Sequence, residues 1–180
     1  MHYAFRYLPA ILLVFSPCLA AQEQVHSHES QTPGSPEAAH HAFVAAERQA
    51  IERGEGFGMA MVADHNGYPG PKHVLALKTE LHLTPDQQAA MEKLFAGMKE
   101  KALTKGRELL EAENRLDRMF AEGRPEAELR EQAFRTATLR AELRWTHLAA
   151  HLLARNVLTD KQLAEYSRLR NHPAPAPSAP

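Results

Sequence analysis

Leu83-Thr84-Pro85-Asp86-Gln87-Gln88, with its echo Leu158-Thr159-Asp160-Lys161-Gln162-Leu163, decides how the chain is read. Each copy places a glutamine three residues after a threonine, the pattern of a helix capping box. The threonine hydroxyl accepts from the third helical N–H, and the glutamine side chain reaches back to the threonine N–H. Pro85 suits the first helical position, where its missing N–H costs nothing. Leu158 and Leu163 add a hydrophobic staple to the second copy; in the first, Gln88 takes the place of the apolar partner. Two helix starts are thereby marked, and few turn signals lie between them.

From Pro85 to about Ala121 the apolar positions are Met91, Phe95, Met98, Ala102, Leu109, Ala112, Leu116 and Met119, interrupted at Lys105 and Gly106. Steps of three and four make a heptad seam. Such a helix spans about 55 Å, longer than a compact domain requires, so it must lie along a partner helix or a second subunit. Glu122-Gly123-Arg124-Pro125 reverses the chain, since Gly ends helices and Pro starts them. The return helix, Pro125 to about Asn156, carries Leu129, Phe134, Ala137, Ala141, Trp145, Leu148 and Leu152 as its apolar positions. A last short helix bears Leu163, Tyr166 and Leu169.

Upstream, Ser35 and Pro36 open a helix from about Glu37 to Arg53, stopped by Gly54. Gly54, Gly56 and Gly58 make a loop around Phe57, Met59 to Asp64 reads as one helical turn, and Asn66 to Pro71 is turn chemistry. Pro71 starts a helix with Val74, Leu77 and Leu81 on one face. No β alternation occurs. The expectation is an all-α fold, a long antiparallel helical hairpin with shorter flanking helices (residues 37–172), assembled as a homodimer along the seam.

The 180 residues hold 21 basic and 22 acidic side chains, a balance that argues against a nucleic-acid partner. Met1 to Ala21 reads as a signal peptide: Arg6 charges its start, Leu8 to Leu19 is the short apolar stretch, and Cys18-Leu19-Ala20 precedes cleavage. The apolar run is too short to span a bilayer, and no other segment reaches the ~18 residues needed, so no stable membrane insertion is expected. Cleavage after Ala20 leaves a chain without cysteine and hence without thiol chemistry. Residues 22–36 read as a disordered, histidine-containing linker and 173–180 as a disordered Pro/Ala tail.

The paired Leu-Thr-x-x-Gln behind an export signal resembles the LTxxQ-motif family of bacterial periplasmic stress proteins, which spans Spy/CpxP-like chaperones and related heavy-metal sensors. Gly67-Tyr68-Pro69-Gly70-Pro71-Lys72-His73-Val74-Leu75 resembles the segment before the first motif in the heavy-metal sensor group. The resemblance implies a periplasmic, helical, non-enzymatic protein.

Eleven histidines are many for this length. His147 and His151 are four apart on the return helix, so both rings share a face and can hold one ion, or they are two solvated histidines on a helix edge beside the Trp145 stripe. The resemblance implies a histidine and a soft ligand at that spacing; His151 replaces the soft donor with nitrogen, which favours zinc, nickel or copper. It also implies ligands on the first helix. There His40 and Glu47, seven apart, share a face with His41 beside them, but the implied histidine pair is not reproduced, because positions 44 and 45 are Val and Ala. His73 begins a helix beside the Pro-Gly-Pro turn and is a lesser candidate, as are His65 and His82, while His26 and His28 could capture metal loosely.

Enzyme readings fail for want of a nucleophile in a strained turn, a phosphate loop or a compact acid pair. The carboxylates from Glu100 to Glu142 alternate with Lys and Arg at helical spacing, which is a solvated face. Met91, Phe95 and Met98, with Met119 and Phe120, suit either an adaptable groove for unfolded clients or the hairpin and dimer core. Two functions follow. One is a periplasmic metal-responsive protein, binding a divalent transition metal ion and modulating a membrane-bound signalling protein. The other is an ATP-independent holdase for unfolded periplasmic clients.

Overall fold

The computed structural model describes residues 35–170; the expected signal peptide, nearly all of the linker with His26 and His28, and the 173–180 tail lie outside them. Six helices follow in order: α1 (Pro36–Glu52), α2 (Met61–His65), α3 (Pro71–Ala76), α4 (Pro85–Ala121), α5 (Glu126–Val157) and α6 (Asp160–Arg170). Among the described residues there is no strand, so the fold is all-α. α4 and α5 pair as the long hairpin; α1 and α3 lie against α4.

Both capping boxes form. Gln87 N–H donates to Thr84 Oγ1 at 3.2 Å and Thr84 N–H to Gln87 Oε1 at 3.1 Å. In the second, Gln162 N–H donates to Thr159 Oγ1 at 3.3 Å and Thr159 N–H to Gln162 Oε1 at 3.0 Å. Sequence alone does not reveal that the two glutamines also grip each other. Their amides pair reciprocally at 2.9 Å, while Gln87 Nε2 donates to the Val157 carbonyl and Gln162 Nε2 to that of Leu81. Beneath this clasp Leu81, Leu158 and Leu163 pack with Val74, Met91 and Tyr166 in one buried cluster. The clasp therefore joins the starts of α4 and α6 above a shared core. Thr84→Ala should cost about 1 kcal/mol, as cap losses do. Gln162→Ala should cost about 2 kcal/mol, because the Leu81 carbonyl and the Gln87 amide lose partners too. Urea unfolding checks this; equal losses would show that the clasp adds nothing to a cap.

Three expectations are corrected by the packing. Gly106, read as an interruption of the seam, is buried at the point where α1 crosses α4. A Cβ there would stand 2.8 Å from Ile51 Cγ2 and 3.0 Å from the Ile51 carbonyl oxygen, so only glycine admits the crossing. Met91, offered as client or dimer surface, is fully buried among α3, α5 and α6 residues. The third correction is the rotation of α5. Its expected apolar stripe faces outward, with Phe134 64% and Trp145 59% exposed, whereas Leu143, at 1%, is inside.

The buried line on α5 is Gln132, Thr136, Leu143, His147, Ala150, His151 and Ala154. It runs on the same helical period as the stripe but from a different face. Buried polar groups on it have partners that compensate burial: Gln132 Nε2 donates to the Ala112 carbonyl at 3.0 Å, and Thr136 Oγ1 to that of Gln132 at 2.9 Å. The seam of α4 is thus covered largely within the chain, by α1, α3 and α5.

Candidate functional site

The inward rotation of α5 carries both of its histidines under the glycine-rich segment that joins α1 to α3. His147 is 5% and His151 9% exposed, so neither sits on a solvated edge. Backbone approaches each ring closely. A Cβ at Gly56 would fall 3.2 Å from His147 Nδ1, and one at Gly70 would fall 3.0 Å from His151 Cε1 and Nε2 and 3.6 Å from His73 Nδ1. These glycines are where loop meets imidazole.

His151 Nδ1 lies 2.8 Å from the Tyr68 carbonyl oxygen. A carbonyl only accepts, so Nδ1 carries the proton in the neutral ring, and Nε2 presents its lone pair. Such a bond to the far nitrogen is how metal-binding imidazoles are held in tautomer and orientation. The Arg155 guanidinium stands 4.6 Å from the Tyr68 ring centroid. His147 Nε2 is buried without a hydrogen-bond partner.

From α3, His73 points Nδ1 at Asp64 Oδ1 across 3.5 Å, too long for a well-formed hydrogen bond. Asp64 accepts from the Tyr166 hydroxyl at 2.8 Å and from Arg170 at 3.1 Å, tying the end of α2 to α6. Burial pushes the Asp64 carboxyl upward, but the bonds from Tyr166 and Arg170 outweigh it and hold the group below its usual range, ionised. Burial lowers both imidazoles below the ordinary histidine value, His147 further by its neighbour His151 and His73 further by Arg170. Tyr166, fully buried, is raised by burial and by its bond to Asp64.

His73, His147, His151 and Asp64 open on one cleft of about 420 Å³, walled by Phe95 and Met98 of α4. Two of the three expected surface residues, Phe95 and Met98, are therefore half-buried cleft walls. The first-helix candidates are not brought here. His40 is exposed, and Glu47 is bonded to Arg140 at 2.7 Å, which also holds Glu113 at 2.9 Å. The reason is the Ile51–Gly106 crossing, which lays α1 beside the middle of the hairpin. Asp64 went unmarked in the sequence because a lone aspartate in a short helix carries no pattern. His73 had one signal, its place just after Tyr68-Pro69-Gly70-Pro71. Among the described residues no three His, Cys, Asp or Glu side chains already stand close enough to hold one ion.

A comparison with protein families matches residues 71–170 to the LTXXQ motif family protein description. The chain belongs to the LTXXQ motif family. The match takes in α3 to α6, both capping boxes and all three cleft histidines, whereas α1, α2 and Asp64 precede it. Proteins of the LTXXQ family are periplasmic and generally non-enzymatic, acting as chaperones or sensors. Comparisons with curated proteins and with solved structures returned no match. Among the described residues no helix is long and apolar enough to cross a membrane.

Proposed function

We propose that this LTXXQ-family protein is a periplasmic stress protein that takes up a divalent transition metal ion in the cleft and passes that state to a membrane-bound signalling protein. The observation that carries the reading is the pair of imidazole nitrogens on one face of α5. His151 Nε2 is freed by the Tyr68 carbonyl, and His147 Nε2 is buried with nothing to bond. Burial holds the His147 imidazole below the ordinary histidine value, which favours the neutral ring that a metal requires. The donor set suits zinc, nickel or copper, for which imidazole is a common ligand. His147, His151 and His73 would hold the ion, drawn together on binding. Bound, it would supply a fixed positive charge that pins α5 to the loop before α3.

Calorimetric titration of the full mature chain with zinc or nickel tests this. One ion per chain is expected, and His147→Ala and His151→Ala should each weaken binding by about a hundredfold, the scale set by losing a ligand or its support. His40→Ala and Glu47→Ala should leave affinity unchanged. A parent protein that takes up no ion, or histidine variants that bind as it does, would end the reading.

One observation favours a second reading, a holdase. Phe134, Trp145, Leu152 and Leu153 leave an apolar face of α5 uncovered, and such a face binds either unfolded clients or a second copy of the chain. Suppression of client aggregation that survives loss of both histidines would favour the holdase.

A further inference from the structure

We propose that Asp64 supplies a carboxylate ligand to the ion in the cleft, brought there by the segment that precedes the family's matched region. The inference rests on the metal reading above.

Charge is the first argument. Neutral imidazoles leave a divalent ion's charge uncompensated, and in a half-enclosed cleft that is costly. Arg53, Lys72 and Lys99 line the same cleft and add repulsion. Two carboxylates border it. Glu55 is exposed and bonds Arg53 at 3.2 Å, so it is turned to the rim. Asp64, its side chain only 14% exposed, lies inside.

Geometry is the second. Donors about 2.1 Å from one ion in tetrahedral array stand about 3.4 Å from each other. Asp64 Oδ1 and His73 Nδ1 are 3.5 Å apart, and that buried nitrogen has no hydrogen-bond partner. The separation is long for a hydrogen bond and right for two ligands of one ion. His151 borders the same space, because its Nε2 and His73 Nδ1 both lie near the point where a Gly70 side chain would begin.

Support is the third. The Tyr166 hydroxyl at 2.8 Å and the Arg170 guanidinium at 3.1 Å hold the carboxylate in place from α6. Ligating carboxylates are characteristically held in this way by outer hydrogen bonds. Tyr166 and Arg170 are positioning residues.

The test uses Co²⁺ on the full mature chain, read by its visible absorption and by zinc competition, with far-ultraviolet circular dichroism to confirm folding. Asp64→Asn keeps the side-chain volume and an oxygen that can accept from Tyr166, but removes the charge. It should weaken Co²⁺ binding by about a hundredfold and shift the absorption band, whereas Tyr166→Phe should weaken it by about tenfold and leave the band in place. Asp64→Glu, which keeps a carboxylate of different reach, should bind with a displaced band. Asp64→Asn with the parent's affinity and band, while His151→Ala fails to bind, would overturn the proposal and leave the metal reading standing. Should Asp64→Asn not fold, Asp64→Glu with the parent's band would overturn it equally. If the parent protein binds no Co²⁺, both fall together.

Discussion

If zinc binds the folded state alone, as proposed, a hundredfold excess over its dissociation constant is expected to stabilise this protein by about 2.7 kcal/mol. His147→Ala or His151→Ala should remove most of that gain, and His40→Ala none of it, because His40 is remote from the cleft on the exposed face of α1. The gain should shrink in acid, because protons compete for the same nitrogens. The sign for the metal-free protein runs in the same direction. His147 and His73 have lowered values in the fold, so below pH 6.5 the unfolded chain takes up protons that the folded one refuses. Stability from these residues is present above pH 6.5 and is lost as pH falls toward the lowered folded values. Burial thus moves proton competition at His147 below the ordinary histidine range, where the spacing alone places it at about 6.5. Thermal melts from pH 7.5 to 5, with and without zinc, measure both effects. Melts that ignore zinc, or variants that respond as the parent does, would count against the cleft as a metal site.

Leu143→Ala is expected to cost 2–5 kcal/mol (roughly the range for a buried leucine), and Trp145→Ala about 1 kcal/mol or less, although tryptophan has the larger apolar surface. Leu143 is enclosed with Ile51, Ala102 and Leu109, whereas Trp145, two residues away, faces outward. Urea unfolding at two protein concentrations separates the outcomes. A small loss at Trp145 independent of concentration marks a free face. A larger loss that grows with concentration marks a second copy seated on α5, and this is where the expected homodimer contact is now proposed to lie. A loss at Trp145 equal to that at Leu143 at every concentration would mean that α5 is rotated differently.

Local signals were legible in the sequence because they need only neighbouring residues. Thr84 with Gln87, Thr159 with Gln162, and the Gly123-Arg124-Pro125 reversal each close a bond or a turn within a few positions, so both long helices and the hairpin follow from them. His147 and His151 were legible as a pair for the same reason, four residues being one turn.

Tertiary packing alone decided which face of α5 turns inward. Phe134, Trp145 and Leu152 compose one helical stripe, and Thr136, Leu143, His147 and Ala150 another; periodicity marks both. The choice went to the line of smaller and hydrogen-bonding side chains, which lets α5 lie close to α4, with Gln132 bonded to the Ala112 carbonyl. That rotation buries His147 and His151, and the Ile51–Gly106 crossing keeps His40 and Glu47 away from them. Asp64 meets Tyr166 over a separation of 102 residues, a contact no local pattern encodes. The sequence by itself determined the helices and their caps. Which side chains meet across them depended on how closely two helices can approach, a property of both surfaces together.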